Sequence, residues 1–397
     1  MDPMPSKPFQ KRKPWIETPL VESAALSKAA GCRIFLKMDC LQPSGSFKSR
    51  GIGNLILSYL SDPAIEGKKL HFYSSSGGNA GLAAVVAAKD LGCACTVVVP
   101  LSTKQMMVDK LRDAGATEVI QHGASWYEAD TYLRERFIGT SDQQQQQEQE
   151  QEQEQSSSAD VASIDIVKNI YVPPFDHPRV WEGNATIISE LAAQLPPREN
   201  AEEKGEGNEC EFPADVIICS VGGGGLFNGL VHGLHEYFET TRKNKNKEIG
   251  SQLNLLAVET KGADSLALSL RKGLLESLTA ITSIATSLGA LRVAPQTFQN
   301  AREPPEGVKV ASVVASDAEA ARGVVTFADE MRVLVEPACA VSIDVALSAK
   351  LREAVLAGGD GRKLDANSRV VVVVCGGSSI TPELVAEYRS KLAEGWE

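Results

Sequence analysis

Residues 44–51 read Ser-Gly-Ser-Phe-Lys-Ser-Arg-Gly and set one lysine, Lys48, in a turn of small residues beside an aromatic ring. A solvated lysine needs no such setting. An amine that condenses with an aldehyde needs close backbone approach, partial desolvation and a flat neighbour. Three other segments could share that chemistry. Ser74-Ser75-Ser76-Gly77-Gly78-Asn79-Ala80-Gly81 brings hydroxyls, free amides and an amide side chain to a helix start. That set can bind a carboxylate and a ring hydroxyl, or simply cap the helix. The run Gly222–Gly225 lets backbone N–H groups converge on a phosphate at a helix N-terminus, where the dipole also favours negative charge. No Gly-Lys-Ser/Thr follows it and the dinucleotide spacing is absent, which excludes both of those phosphate loops. Cys375-Gly376-Gly377-Ser378-Ser379, after the valine run Val370–Val374, offers a thiol that is either core or the partner of a heteroaromatic nitrogen.

Positioning these residues requires strands that end in loops and helices that begin there. Apolar runs at His71–Ser74, Cys95–Pro100, Glu118–Gln121, Val216–Ser220 and Val370–Val374 predict strands. Helical patterns follow at Leu82–Leu91, Lys104–Ala114, from near Leu226 and from about Pro382. Continuous β-branched runs fit parallel strands buried on both faces, and such open sheets bind ligands at the strand-to-helix joints. The fold class is therefore α/β.

The chain has 397 residues, 43% hydrophobic and 23% charged, enough for two domains with ample core. A net charge of −11 argues against non-specific nucleic-acid binding but leaves room for a local anion pocket. No window is apolar enough for a membrane span, and the basic residues Lys7–Lys13 precede no apolar core of a secretory signal. The eight cysteines fall mostly in apolar runs and read as buried free thiols of a reducing compartment. Cys93 and Cys95 lack the second pair that a zinc site needs. Gln143–Gln155 contains only Gln and Glu, and the insert 142–158 is expected to be disordered. Arg198–Glu211 and Arg242–Glu248 read as charged surface insertions.

In their order and spacing, the segments Ser44–Gly51, Ser75–Gly81, Ser220–Gly229 and Cys375–Ser379 resemble fold-type II pyridoxal 5′-phosphate enzymes. The likeness is closest to the eukaryotic L-serine/L-threonine dehydratases and runs from about Thr18 to Ile380. Pro173-Pro174-Phe175-Asp176 and Trp181-Glu182-Gly183 resemble the family's return into its large domain. The resemblance implies a tryptophan synthase β-like architecture of two open, twisted, mostly parallel sheets flanked by helices, with the cofactor in an interdomain cleft. Residues 1–41 and 162–397 would form the large domain and 42–161 the small one. Lys48 would carry pyridoxal phosphate as a Schiff base, with Phe47 on its ring, Asn79 at the ring oxygen and Gly222, Gly223, Gly224 and Gly225 on the phosphate. Cys375 would face the ring nitrogen. Ser46, Ser76, Gly77 and Asn79 would receive the substrate. Glu259, Ala263 and Ser265, with carbonyls of Leu288 and Ala290, would hold a monovalent cation such as K+; Glu259 reads equally well as a capping carboxylate. Gly77 stands where some relatives have alanine, and Ser379 where close relatives often have asparagine.

The implied reaction is α,β-elimination from serine or threonine, in which the Lys48 amine takes the α-proton and pyruvate or 2-oxobutyrate leaves with ammonia. A thiol, with an ordinary pKa of about 8.5, does not hold a ring nitrogen protonated as an aspartate would, which suits elimination better than transamination. Serine racemisation and cysteine synthase-like β-replacement are the alternatives on this fold, and a non-catalytic amino-acid sensor would not need Lys48 together with Cys375. The resemblance further implies a cytoplasmic homodimer in amino-acid catabolism and gluconeogenesis. Only a short helical tail follows Ile380, so feedback by isoleucine through a C-terminal regulatory domain is not expected.

Overall fold

The computed structural model describes residues 12–139, 167–197, 209–245, 248–249, 253–357 and 363–397. The Gln/Glu insert 142–158 and most of the patch Arg198–Glu211 lie outside the described residues. Two compact units are present: residues up to Ile16 with Ile52–Val172, and Glu17–Gly51 with Pro173–Glu397. The divisions fall after residues 16, 51 and 172, where the sequence reading put them after 41 and 161. The first segment joins the smaller unit where Pro14 and Trp15 pack closely against Gly53 of helix Lys48–Leu60: a Cβ on Gly53 would stand 2.9 Å from Pro14 and 3.2 Å from Trp15.

The larger unit is built on a six-stranded sheet. Its strands are β1 (Leu20–Glu22), β2 (Arg33–Lys37), β8 (Val216–Ser220), β10 (Leu253–Thr260), β11 (Val308–Ala315) and β12 (Arg369–Val373), in the order β1-β2-β12-β8-β10-β11. Only the edge pair β1 with β2 is antiparallel. Every residue of β8, β10 and β12 is buried, which is why their central residues are apolar on both faces rather than alternating, with polar residues such as Ser220, Asn254, Glu259, Thr260 and Arg369 confined to the strand ends. Helix Pro337–Leu347 is buried along nearly its whole length and joins the same core. The charged stretch beginning at Arg242 is not an insertion at its start. Arg242 and Lys243 continue helix Gly225–Lys245, where both pair with Glu239 one turn earlier.

The smaller unit is a four-stranded, fully parallel sheet of β3 (Lys69–Ser74), β4 (Ala94–Val99), β5 (Glu118–Gln121) and β6 (Val167–Tyr171), in the order β5-β4-β3-β6. Helix Asn79–Asp90 follows β3 and buries Ala80, Gly81, Ala83, Ala84, Ala87 and Ala88, side chains small enough to let it lie close. Outside both main sheets, β7 (Glu209–Cys210) pairs with β9 (Glu248–Ile249). Strands Val216–Ser220 and Glu118–Gln121 coincide with the sequence expectation. The helix after β3 begins three residues earlier than predicted, because Asn79 itself opens it. Among the described residues, no helix is long and apolar enough to cross a membrane.

Candidate active site

In the larger unit the lysine turn is stapled to the end of β12. Phe47 N–H donates to the Cys375 carbonyl at 3.0 Å, Gly377 N–H donates to the Gly45 carbonyl at 3.0 Å, and Ser46 forms a bridge with Gly376. The approach is so close that a Cβ on Gly376 would overlap the Gly45 carbonyl. Within the turn, Ser44 and Ser49 hydroxyls lie 2.7 Å apart, and the Ser49 oxygen accepts the Ser44 N–H. Lys48 and Cys375 therefore lie at the same end of the sheet, beyond an interior strand, although they are far apart in sequence.

Lys48 Nζ donates to the Pro174 carbonyl at 2.6 Å and lies 5.2 Å from the centre of the Phe47 ring. Desolvation pulls this amine down to about 8, partly countered by Cys375. Burial pushes the neighbouring thiols the other way. Cys40 rises to about 12, and Cys219 and Cys339 also rise, so all three stay protonated around Cys375. The Ser46 hydroxyl is buried with no partner among the described residues.

Beneath the turn lies a buried quartet of charges. Arg50 grips Asp39 through Nε at 2.7 Å and a second nitrogen at 2.9 Å, and also pairs with Glu190, which in turn takes Lys37 at 2.5 Å. Glu190 is drawn below the usual carboxylate range, because bonds from Arg50 and Lys37 outweigh its desolvation, the largest single influence. Removing one member of such a group leaves a buried charge without its partner, at about 3–5 kcal/mol.

The residue after Pro174 connects the amine to the glycine run. A Cβ on Gly223 would fall into the Phe175 ring, and one on Gly225 would press on Phe175 at 3.0 Å. Gly224 adopts φ +95° and Thr297 fills the space a side chain would need, so only glycine fits there. On the other side, a Cβ on Gly222 would stand 3.0 Å from Leu288 Cα. The N–H groups of Gly222, Gly223, Gly224 and Gly225 find no acceptor among the described residues, at the head of helix Gly225–Lys245. Four unpaired donors at the positive end of a long helix dipole form an anion cradle. Helix Pro178–Gln194 steadies it: Trp181 Nε1 bonds the Phe175 carbonyl and Asn184 Nδ2 the Gly225 carbonyl, both at 2.9 Å.

The cation candidates also lie in this unit. Glu259, the penultimate residue of β10, is fully buried, and its two oxygens each accept a backbone N–H at 2.8 Å, from Leu266 and Ala267. Desolvation dominates and pushes Glu259 up to about 8. Ala263 is buried, Ser265 Oγ is buried without a partner among the described residues, and the Leu288 carbonyl accepts the Ala290 N–H at 2.7 Å. The structure thus shows the capping arrangement for Glu259 directly. Among the described residues no group of three or more His, Cys, Asp and Glu side chains is arranged to hold a metal ion.

Ser76, Gly77 and Asn79 belong to the smaller unit. Ser76 Oγ accepts the Gly78 N–H at 3.3 Å, and Asn79 is the first residue of its helix, whose cap position, Gly78, has no side chain to offer. The Ser379 N–H, in the other unit, donates to Glu336 at 2.9 Å. Sequence reasoning missed Glu336, Thr297 and Asp130, whose importance comes from contacts between distant segments and leaves no local signal.

A family model described as pyridoxal-phosphate dependent enzyme matches residues 12–376. The chain belongs to that family. It is 37% identical over 366 residues to a catabolic L-serine/threonine dehydratase of Saccharomyces cerevisiae, covering 92% of this chain and 88% of the relative. It is also 37% identical over 376 residues to a serine dehydratase-like protein of Rattus norvegicus, covering 94% of each. Among solved structures, a fungal L-serine ammonia-lyase from Rhizomucor miehei superposes with a TM-score of 0.72 at 29% identity, covering 96% of this chain and 99% of that one. The residues present fit pyridoxal phosphate. An amine near 8 suits Schiff-base exchange, the unpaired N–H groups of the tetraglycine run suit a phosphate ester, and the unpartnered Ser46 hydroxyl adds a buried polar group beside the amine.

Proposed function

We propose that this pyridoxal-phosphate dependent enzyme is an L-serine/L-threonine dehydratase, an ammonia-lyase that yields pyruvate or 2-oxobutyrate plus ammonia. The observation that carries it is the consecutive pair Pro174 and Phe175. One holds the Lys48 amine and the next seats the tetraglycine cradle, so amine and anion site are set by one rigid step of backbone. The names of the relatives supply the substrate class.

Lys48 would hold the cofactor, with Phe47 on the ring face, Asn79 at the ring oxygen, Cys375 at the ring nitrogen and Gly222–Gly225 on the phosphate. When bound, pyridoxal phosphate supplies the electron sink for the α-carbon's electron pair. The chain's own residues do the rest. The Lys48 amine removes the α-proton, and its desolvation keeps a useful fraction neutral near neutrality. Ser46, Ser76, Gly77 and Asn79 receive the amino acid, the last three through its carboxylate. The protonated thiols around Cys375 keep negative charge away from the ring end of the site.

The proposal includes a monovalent cation such as K+ held by the Glu259 carboxylate, Ser265 Oγ and the carbonyls of Ala263, Leu288 and Ala290. The unpartnered Ser265 hydroxyl supports it, as does the contact of Leu288 with Gly222, through which a cation would brace the cradle. A cytoplasmic homodimer working in amino-acid catabolism and gluconeogenesis is the setting we propose, on the family resemblance.

Keto-acid and ammonia release from L-serine, D-serine, L-threonine and O-acetylserine, with and without sulfide, tests the reaction against racemisation and β-replacement. Borohydride reduction followed by peptide mapping should place the cofactor adduct on Lys48. Lys48→Ala should lower turnover by at least about 10³-fold; a variant releasing ammonia from serine at a near-normal rate overturns the assignment.

A further inference from the structure

In the smaller unit one carboxylate collects donors from three elements. Asp130, on helix Trp126–Leu133, is 8% exposed. Its Oδ1 accepts the Ser75 hydroxyl at 2.6 Å and the Tyr171 hydroxyl at 2.7 Å, while Oδ2 takes Arg134 Nε at 2.8 Å. The Arg134 guanidinium also stacks on the Tyr171 ring at 3.8 Å. Burial, and then the bond to Asp130, push the Tyr171 phenol up to about 12, so it remains a donor.

The place of this cluster matters more than its strength. The parallel ladder of β3 runs out at Ser74, paired with Val97, and Tyr73 is paired with Tyr171. Ser75 is the first residue beyond the ladder and stands directly before Ser76-Gly77-Gly78-Asn79. Asp130 takes hold of the chain where the sheet lets go. It also engages the Ser75 proton, tying the start of this loop to helix Trp126–Leu133, while the following helix has at its cap position Gly78, which offers no side chain. The strands are already paired without it. Burying a carboxylate is costly unless every lone pair is used, and a fully used one fixes orientation sharply.

Resting on the dehydratase reading, we propose that Asp130 is a positioning residue. Through Ser75 and Tyr171 it sets the pose in which the Ser76–Asn79 loop presents its donors to the carboxylate of the amino-acid substrate. It touches neither substrate nor cofactor, so its loss should appear in substrate binding.

The test uses the holoenzyme and three variants: Asp130→Asn, Ser75→Ala and Ser75→Thr. For Asp130→Asn, KM for L-serine should rise about tenfold or more, with kcat within about threefold of the parent. The borohydride adduct on Lys48 should form in parental yield. Backbone amide exchange over residues 75–81 should speed up about tenfold or more, while that of residues 222–225 stays unchanged. Ser75→Ala, which alters no buried charge and so keeps the test decisive should Asp130→Asn fail to fold, should reproduce the KM rise in part. Ser75→Thr should restore it by keeping the hydroxyl. Unchanged KM in Ser75→Ala, or loss of kcat in proportion to the folded fraction, overturns the proposal. If the parent releases no keto acid, the dehydratase reading falls by itself. The exchange comparison then decides the loop-ordering claim: unaltered protection of residues 75–81 overturns it.

Discussion

The tetraglycine run and the Ser74–Gly81 loop occupy the same topological position, a strand end before a helix, yet they are held in place differently. Around Gly222–Gly225 the space beside each Cα is filled by Phe175, Thr297 or Leu288, so the backbone has one place to lie. Around Gly77 and Gly78 it is looser: a Cβ on Gly77 would find Thr103 Cγ2 at 3.0 Å and Val99 Cγ1 at 3.2 Å, and one on Gly78 nothing nearer than 3.9 Å. Only Gly81 is sealed, by the Ser76 carbonyl. The first loop is set by packing, whereas the second is tied at its start by the Ser75 hydroxyl bond to Asp130. A phosphate ester is the same in every turnover and tolerates a steric mould. A substrate that arrives and leaves calls for a mount that can give slightly.

The comparison breaks most visibly at Gly224. Gly224→Ala combines a left-handed φ with a collision against Thr297 and should cost about 3 kcal/mol or more, by thermal or urea unfolding. The same change should weaken retention of pyridoxal phosphate by about 100-fold or more in equilibrium dialysis. Retention near the parental level would mean that the cradle is no steric mould.

A second test uses pH, with cofactor and K+ removed. Glu259 is raised to about 8 from 4.5, so the folded protein binds the extra proton and stability falls as pH rises through that window. Lys48 is lowered to about 8 from 10.5, so the unfolded chain binds the extra proton and stability climbs from pH 8 to 10.5. Plots of Tm against pH should show the falling arm reduced in Glu259→Gln and the rising arm reduced in Lys48→Met, by about 5 °C in each case. Adding K+ should flatten the falling arm of the parent alone. An unaltered arm in either variant would remove that group from the account.

Gly77→Ala should have the smallest effect. Its φ suits alanine, the neighbours are ends of side chains, and the unfolded chain loses entropy, so stability should stay within about 1 kcal/mol. KM for L-serine should move by less than about fivefold. A loss as large as that of Gly224→Ala would erase the distinction between the loops.

Much of the framework was legible because it rests on local chemistry. Val216–Ser220 and Glu118–Gln121 were found to the residue, since β-branched runs closed by glycine or polar turns have few other uses. The charged residues Arg242 and Lys243 misled, because a solvated helix face and a surface insertion share a composition. In the site, Lys48 and the glycine run announced themselves by residue type. The pairing of Ser46 with Gly376 joins chain segments remote in sequence and leaves no local signal in either. Asp130 sits in Trp-Tyr-Glu-Ala-Asp, an ordinary helical stretch, and only the fold reveals its three donors.

The quartet under the lysine turn sums to zero: two cations, Lys37 and Arg50, against two anions, Asp39 and Glu190. Although Arg50 is two positions from Lys48, the influences on that amine are its dryness and Cys375. The foundation is thus electrically silent. The basicity of the amine is governed by how tightly the surrounding walls exclude solvent, so opening and closing of those walls would act as its dial.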